Sequence, residues 1–379
     1  MLSRLGKVFL ALFCCMGTAH ADVRFRCPSE LSALQKGISG YLRELKIPPA
    51  LVMQSIDNQS GILTLTLTTP TNDTRTLDFF MRPELSLSTE QVRLPTAHKG
   101  KMRTLKTVSK EEIVLALLQH GRMSTFQENA CSVEALSDRV GVRQNIVAWA
   151  EHLNWDWPNG GPARWNTKYW RRGTPNPGVS LHAAVMDAFL HQDKYAIGCY
   201  TATKLVIVQG TLDYYSRVKH DPVRTRRVEQ ALLADGDPLV GIEPGRMWSF
   251  EKGYDTEEMS RNGKLLKLYS AVAAGNFIPG DWGYILNTDP TSEQKTGYEG
   301  SNAIYLGRNR FDDYYNDNDH SYTYEQKLDE VYQWRNGVFS RMRDGNKIKP
   351  LTSKEQAALS MTPDNGGLQL DVRAVPRYF

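Results

Sequence analysis

The sequence predicts an α+β protein centred on a helix that starts at Cys199 and packs on an antiparallel sheet. Three observations carry that expectation. Gly198-Cys199-Tyr200-Thr201-Ala202-Thr203 opens an apolar stretch in which Leu205, Val208, Leu212 and Tyr215 recur at helical spacing. Two strand-like runs, Phe277 to Leu286 and Asn302 to Gly307, come after it. A separate helix and an alternating strand lie far upstream, within residues 22–103, and read as a small α+β module.

The chain opens with Arg4 and Lys7, a short apolar run from Val8 to Gly17, and Ala19-His20-Ala21. A basic start, a short apolar middle and small residues at the A-x-A positions read as a secretory leader over residues 1–21. The expected address is periplasmic or secreted. No later run approaches the ~20 apolar residues of a membrane span. Ser29 to Leu45 has helical spacing and stops at Pro48-Pro49. Ile62 to Leu67 alternates with period two and is expected to form a hairpin with Leu77 to Met81.

Residues 104–379 are expected to form the catalytic domain. Ser109-Lys110-Glu111-Glu112 is a capping-box signature opening a helix from Ile113 to Gln119. Ser132 to Leu153 reads as two helices broken near Gly141. Trp155, Trp157, Trp165, Tyr169 and Trp170, interleaved with Pro and Gly, form an aromatic loop. Arg217 to Arg227 is a basic, solvated segment, Thr323 to Arg343 a helix, and the tail from Pro350 is expected to be poorly packed.

The 379 residues carry a formal net charge of +4, two units of which lie in the leader. Near neutrality of the remainder argues against a nucleic-acid partner. No His/Cys set has zinc spacing, Asp312-Asp313 with Asp317 and Asp319 lacks the Gly and distal Glu of an EF-hand, and no phosphate loop is present. No metal and no cofactor are expected.

Outside the leader three cysteines remain, Cys27, Cys131 and Cys199. An odd count in an oxidising compartment suggests one bridge and one spare thiol. Cys27 and Cys131 both lie outside the stretch around Cys199, so they are expected to pair. The alternative, a bridge through Cys199, would abolish a nucleophile there. A thiol at a helix N-terminus lies beside unpaired N–H groups and the positive end of the dipole, which favour the thiolate. The same N–H groups can hold the oxyanion of an acyl-transfer intermediate.

Several blocks occur in an order that is similar to one family. They are Ser132-Val133-Glu134-Ala135-Leu136 with Gln144-Asn145-Ile146-Val147-Ala148, Asn166-Thr167-Lys168-Tyr169-Trp170-Arg171, Cys199-Tyr200-Thr201-Ala202, Pro279-Gly280-Asp281, and Gly300-Ser301-Asn302-Ala303-Ile304-Tyr305-Leu306-Gly307. From about Ser132 to Arg343 the chain resembles the bacterial spore-coat type of protein-glutamine gamma-glutamyltransferase. The resemblance implies a papain-like, NlpC/P60-type core, a thiol nucleophile at Cys199 and crosslinking of protein substrates, one giving a glutamine and the other a lysine. It equally brings to mind NlpC/P60 cell-wall peptidases, which carry the catalytic His in the slot of Ser301. The spore-coat enzymes carry a Glu before the nucleophile and another in the slot of Ser301. Here Gly198 and Ser301 stand there, so the base has to be sought locally.

Glu299 would share the strand face of Ser301, and His320 follows an acidic turn ahead of the last helix; both are candidate bases for Cys199. Asp281 reads as a turn cap. Trp165, Trp170 and Trp282 are candidate walls of the substrate cleft, and Ser301 and Asn302 candidate substrate contacts. Three readings follow: a thiol acyltransferase that makes glutamine–lysine crosslinks, a cell-wall amidase or peptidase with water as acceptor, and a binding protein on the same fold.

Overall fold

The computed structural model describes residues 23–28, 30–68, 87–119, 124–159, 161–171, 174–234, 267–269, 277–287, 291–316, 321–335, 337–339, 351–359 and 369–374. The leader, Ser29, Leu77 to Met81 and His320 lie outside them. Strand β1 (Val23–Arg26) leads into α1 (Leu31–Glu44), followed by β2 (Val52–Asp57), β3 (Ile62–Leu67), β4 (Thr89–Pro95) and β5 (Met102–Val108). Next come α2 (Lys110–Gln119), β6 (Ser124–Gln127) and α3 (Val133–Ala150). The short pair β7 (Trp170–Arg171) and β8 (Thr174–Pro175) precedes α4 (Leu181–Leu190), α5 (Cys199–Asp213) and α6 (Pro222–Ala234). The remainder comprises β9 (Lys267–Tyr269), β10 (Trp282–Leu286), β11 (Gly300–Gly307), β12 (Arg310–Asp312), β13 (Ser321–Tyr322), α7 (Tyr324–Arg335), α8 (Ser353–Leu359) and β14 (Gln369–Ala374). Among the described residues no helix is long and apolar enough to cross a membrane.

The upstream sheet has the order β2-β3-β1-β6, with β1 antiparallel to β3 and parallel to β6. Its strand β6 comes from beyond residue 103, and Cys27 is disulfide-bonded to Cys131, just ahead of α3. The hairpin partner of β3 is β2, paired from Val52↔Leu67 to Asp57↔Ile62. Side chains from this sheet, α1, α2, α3, α4 and α5 fill one continuous core.

Helix α3 corrects an expectation. It runs unbroken from Val133 to Ala150, with the Ser132 hydroxyl accepting from the Ala135 N–H at its start. Gly141 is a contact rather than a break: a Cβ there would lie 2.4 Å from the Tyr214 ring. Gly210 on α5 does the same towards Ile146, at 2.3 Å. The two glycines let α3 and α5 approach closely, and a glycine inside a helix costs only about 1 kcal/mol against Ala. Every residue of α5 from Thr201 to Asp213 is buried, so packing holds a sequence of modest helix propensity.

The second sheet is antiparallel throughout, in the order β13-β12-β11-β10-β14-β9. Its strand β14 overturns the expectation of a poorly packed tail, because it pairs with β10 from Trp282↔Arg373 to Leu286↔Gln369. Period-two alternation divides β11 between two cores. Ile304 and Leu306 join the core containing α5, whereas Ala303 and Tyr305 join Tyr322, Leu328, Val331 and Trp334 beside α7. The basic segment after α5 is not merely solvated. Arg217 pairs with Asp213, and Lys219 and Arg224 converge on the buried Asp138.

Several acids are buried where α2, α3 and β12 meet. Glu112 caps nothing in its own helix; its Oε1 accepts from the Arg308 N–H at 2.9 Å. Burial pushes the carboxyl of Glu112 up to about 7, against the pull of Arg308, and does the same to Glu151. Burial, then the neighbouring Asp313, drives Asp312 well above the carboxylate range. Acids raised on folding bind more protons in the native state, so their contribution to stability is present in acid and fades as pH climbs towards 7 and beyond. Urea unfolding is therefore expected to show a lower midpoint at pH 8 than at pH 5. Glu112→Gln should remove part of that loss, on the order of 3 kcal/mol at pH 8. An equal pH loss in wild type and variant would reject the assignment.

Candidate active site

Gly198 is the N-cap of α5 and supplies no side-chain cap, so the first N–H groups of the helix keep no side-chain acceptor. Cys199 is the first helical residue, half-buried and free of any disulfide. A Cβ on Gly198 would meet nothing within 4 Å, which leaves open space immediately ahead of the thiol.

Facing the sulfur is β11. Asn302 Nδ2 donates to Cys199 Sγ at 3.5 Å, and Asn302 Oδ1 accepts from Trp282 Nε1 at 2.9 Å. Trp282 and Asn302 lie on neighbouring strands, and the Tyr200 ring packs edge-on against the Trp282 indole at 5.0 Å. The indole fixes which end of the amide points at the sulfur. Asn302→Ala should slow iodoacetamide alkylation of Cys199 at pH 7 several-fold, because the sulfur loses the donor that faces it. It should also destabilise the fold by about 1–3 kcal/mol, because a buried indole N–H loses its acceptor. A wild-type alkylation rate would show that this amide does not act on the sulfur.

The other expected site residues fall in different places. Ser301 is on the opposite side of β11, its hydroxyl 3.5 Å from the Tyr322 hydroxyl. Glu299 precedes β11, which starts at Gly300, so it does not share a strand face with Ser301, and its Oε2 accepts from the Gly297 N–H at 2.8 Å. The structure thus brings Asn302 to the thiol, with Trp282 behind it, and turns Ser301 to the other side of the strand. Trp282 and Trp170 are buried at 0% and 3%, so neither offers an open wall. Trp165 is half-buried against Trp170 and Tyr195.

The aromatic loop is stitched to the residues that lead into the nucleophile. Arg164 and Ala196 exchange backbone hydrogen bonds at 2.8 and 3.0 Å, and the Ile197 N–H donates to the Asp156 carbonyl. Asp187, buried on α4, accepts from Asn166 Nδ2 and the Tyr195 hydroxyl and contacts His191 Nδ1. His191 therefore has a structural partner.

Much of the motif pattern does scaffold work of this kind. Gln144 donates to Glu90 and to the Val108 carbonyl, and Asn145 to Asp213 and the Gly210 carbonyl. Asp281 caps the Ile278 N–H and pairs with the buried Arg143. Among the described residues no cluster of three or more His, Cys, Asp or Glu is arranged to hold a metal ion.

Sequence reasoning missed Tyr314. Its hydroxyl lies 2.7 Å from Thr203 Oγ1, which in turn donates to the Cys199 carbonyl at 2.7 Å. A tyrosine in an acidic, aromatic stretch after a strand carries no signal of this kind.

Residues 92–318 match the family model described as protein-glutamine gamma-glutamyltransferase. A solved structure of a transglutaminase from Geobacillus stearothermophilus (without C-terminal extension) is similar to the chain at 17% identity and a TM-score of 0.39, covering 63% of this chain and 92% of that one. No curated protein matches it.

Proposed function

The chain belongs to the protein-glutamine gamma-glutamyltransferase family, a family of cysteine-dependent acyltransferases, and from that premise we propose that Cys199 crosslinks protein glutamines to lysines through a thioester. The observation that carries this is the free thiol at the uncapped head of α5 with an oriented amide donor on its sulfur.

The thiolate attacks the side-chain carboxamide carbon of a glutamine. The carbonyl oxygen gains the negative charge and is held by N–H groups of the first turn of α5. Collapse of the intermediate breaks the C–N bond. Nitrogen leaves as ammonia after taking a proton, and the acyl group stays on sulfur. A lysine amine then attacks the thioester, sheds a proton, and leaves as the isopeptide while the thiolate is regenerated.

Asn302 cannot take up these protons, because an amide has no basic site at neutral pH. His320 is proposed for that role. Supporting it, Tyr314, six residues earlier in the chain, contacts Thr203 on the nucleophile's helix. Trp165 is proposed as a wall that limits water at the acyl-enzyme, favouring transfer over hydrolysis. We place the chain outside the cytoplasm after removal of residues 1–21, a reading supported by the Cys27–Cys131 disulfide.

Incubation with a glutamine-bearing protein and a fluorescent primary amine tests the proposal. Labelled protein together with ammonia is the expected result. Ammonia without label would make water the acceptor, and neither product would reject the reading.

A further inference from the structure

We propose that Tyr314 and Thr203 form a hydroxyl relay that positions the nucleophile and tunes it through the carbonyl of Cys199. The direction of each hydrogen bond follows from proton counting. Thr203 Oγ1 has one proton, and 2.7 Å away it faces the Cys199 carbonyl oxygen, which can only accept. That proton is therefore committed. The contact of 2.7 Å between Thr203 Oγ1 and the Tyr314 hydroxyl then has to be donated by tyrosine. The chain runs Tyr314 O–H to Thr203 O–H to the carbonyl of Cys199.

A threonine bonding the carbonyl four residues back is ordinary helix chemistry by itself. The second hydroxyl makes the difference, because each donor in a chain polarises the next. A stronger donor on the Cys199 carbonyl withdraws negative potential beside the sulfur. It also holds the peptide from which the side chain departs, so that Sγ stays opposite Asn302. Both hydroxyl-bearing residues are buried, Thr203 at 0% and Tyr314 at 1% exposure, so water does not substitute for either.

The phenol keeps its proton. Burial first, then the adjacent Asp312, raises the ionisation of Tyr314 well above the usual phenol value. Its backbone is held as well: the Trp155 N–H donates to the Tyr314 carbonyl at 3.0 Å, and the Asn316 N–H to the Trp155 carbonyl at 3.1 Å. The relay thus ties the aromatic loop, the segment after β12 and the nucleophile's own helix to one carbonyl. Tyr314 is a positioning residue, since it acts through Thr203 on the carbonyl of Cys199.

The proposal rests on Cys199 being the nucleophile, and its test does not need the crosslinking substrate. Iodoacetamide alkylation of Cys199 is measured at pH 7 and at about pH 10, above the ordinary thiol value of ~8.5, in wild type, Tyr314→Phe, Thr203→Val and Thr203→Ser. At pH 7 the first two variants should react about tenfold more slowly than wild type, with the gap closing at the higher pH. Thr203→Ser, which keeps the hydroxyl, should restore the wild-type rate. In amine incorporation, kcat should fall in parallel while KM for the glutamine donor stays within about twofold.

Wild-type alkylation rates in Tyr314→Phe and Thr203→Val would overturn the relay. Should Tyr314→Phe lose its thermal unfolding transition, equal rates in Thr203→Val and Thr203→Ser would overturn it alone. Rate differences in alkylation with no amine incorporation by wild type would sustain the relay and remove the crosslinking activity instead.

Discussion

Cys199→Ala is expected to abolish amine incorporation, a fall of at least ~10³-fold, because no step before the thioester can proceed without the sulfur. Stability should change little. The side chain is half-buried at the head of α5, at the edge of the core, and its sulfur accepts from the Asn302 amide, so the substitution trims one atom from the rim of the packing. A shift within about 0.5 kcal/mol is expected. Cys199→Ser should be nearly as inactive, since a hydroxyl at that position stays protonated. The measurement is labelled-amine transfer alongside thermal unfolding. Activity surviving in the alanine variant would place the nucleophile elsewhere.

The largest expected effect on folding comes from the pair Arg143–Asp281. Both side chains are fully buried, with Nη1 of Arg143 2.9 Å from Oδ1 of Asp281. The same nitrogen also donates to the Pro279 carbonyl at 3.0 Å, while Asp281 Oδ2 accepts from the Ile278 N–H at 2.8 Å. Between them sits Gly280 at φ +85, where a Cβ would press on the Arg143 backbone at 3.2 Å. Through the Gly280 and Asp281 backbones the turn is hydrogen-bonded to Tyr305 of β11. The pair thus ties α3 to the strand that carries Asn302.

Asp281→Asn removes the carboxylate that faces a buried guanidinium and should cost about 3–5 kcal/mol. Arg143→Met should cost a similar amount by removing the cation that faces the carboxylate. The double variant Arg143→Met/Asp281→Asn removes both charges and keeps an acceptor for the Ile278 N–H. It should lose clearly less than the sum of the singles. Urea unfolding of the four proteins measures this. Strict additivity would mean that the two charges do not depend on one another.

What could be read in advance follows from how local each signal is. The start of α5 at Cys199, the cap of α2 by Ser109 and the strands β10 and β11 depend on neighbouring residues, and short spacing rules suffice for them. A glycine within a helical pattern, as at Gly141, looks the same whether it breaks the helix or admits the ring of Tyr214. The strand β14 leaves little local signal because its pairing with β10 is long-range and its own sequence is short.

At the site the limiting question was which side of β11 meets the thiol. Alternation separates Ser301 from Asn302, yet only the packing of α5 on the sheet decides that Asn302 faces sulfur. Tyr314 lay beyond sequence reasoning for the same reason, being 111 residues from Thr203 along the chain.

The Cys27–Cys131 disulfide spans 104 residues and encloses nearly all of the upstream module in a covalent ring. One cut by a protease inside that ring opens it but frees nothing, because the two pieces remain joined through sulfur. Strand β1 also stays hydrogen-bonded between β3 and β6. A single cut between Cys27 and Cys131 therefore does not discard the module. A nicked molecule would run as one species on a non-reducing gel and as two fragments once a reductant is added.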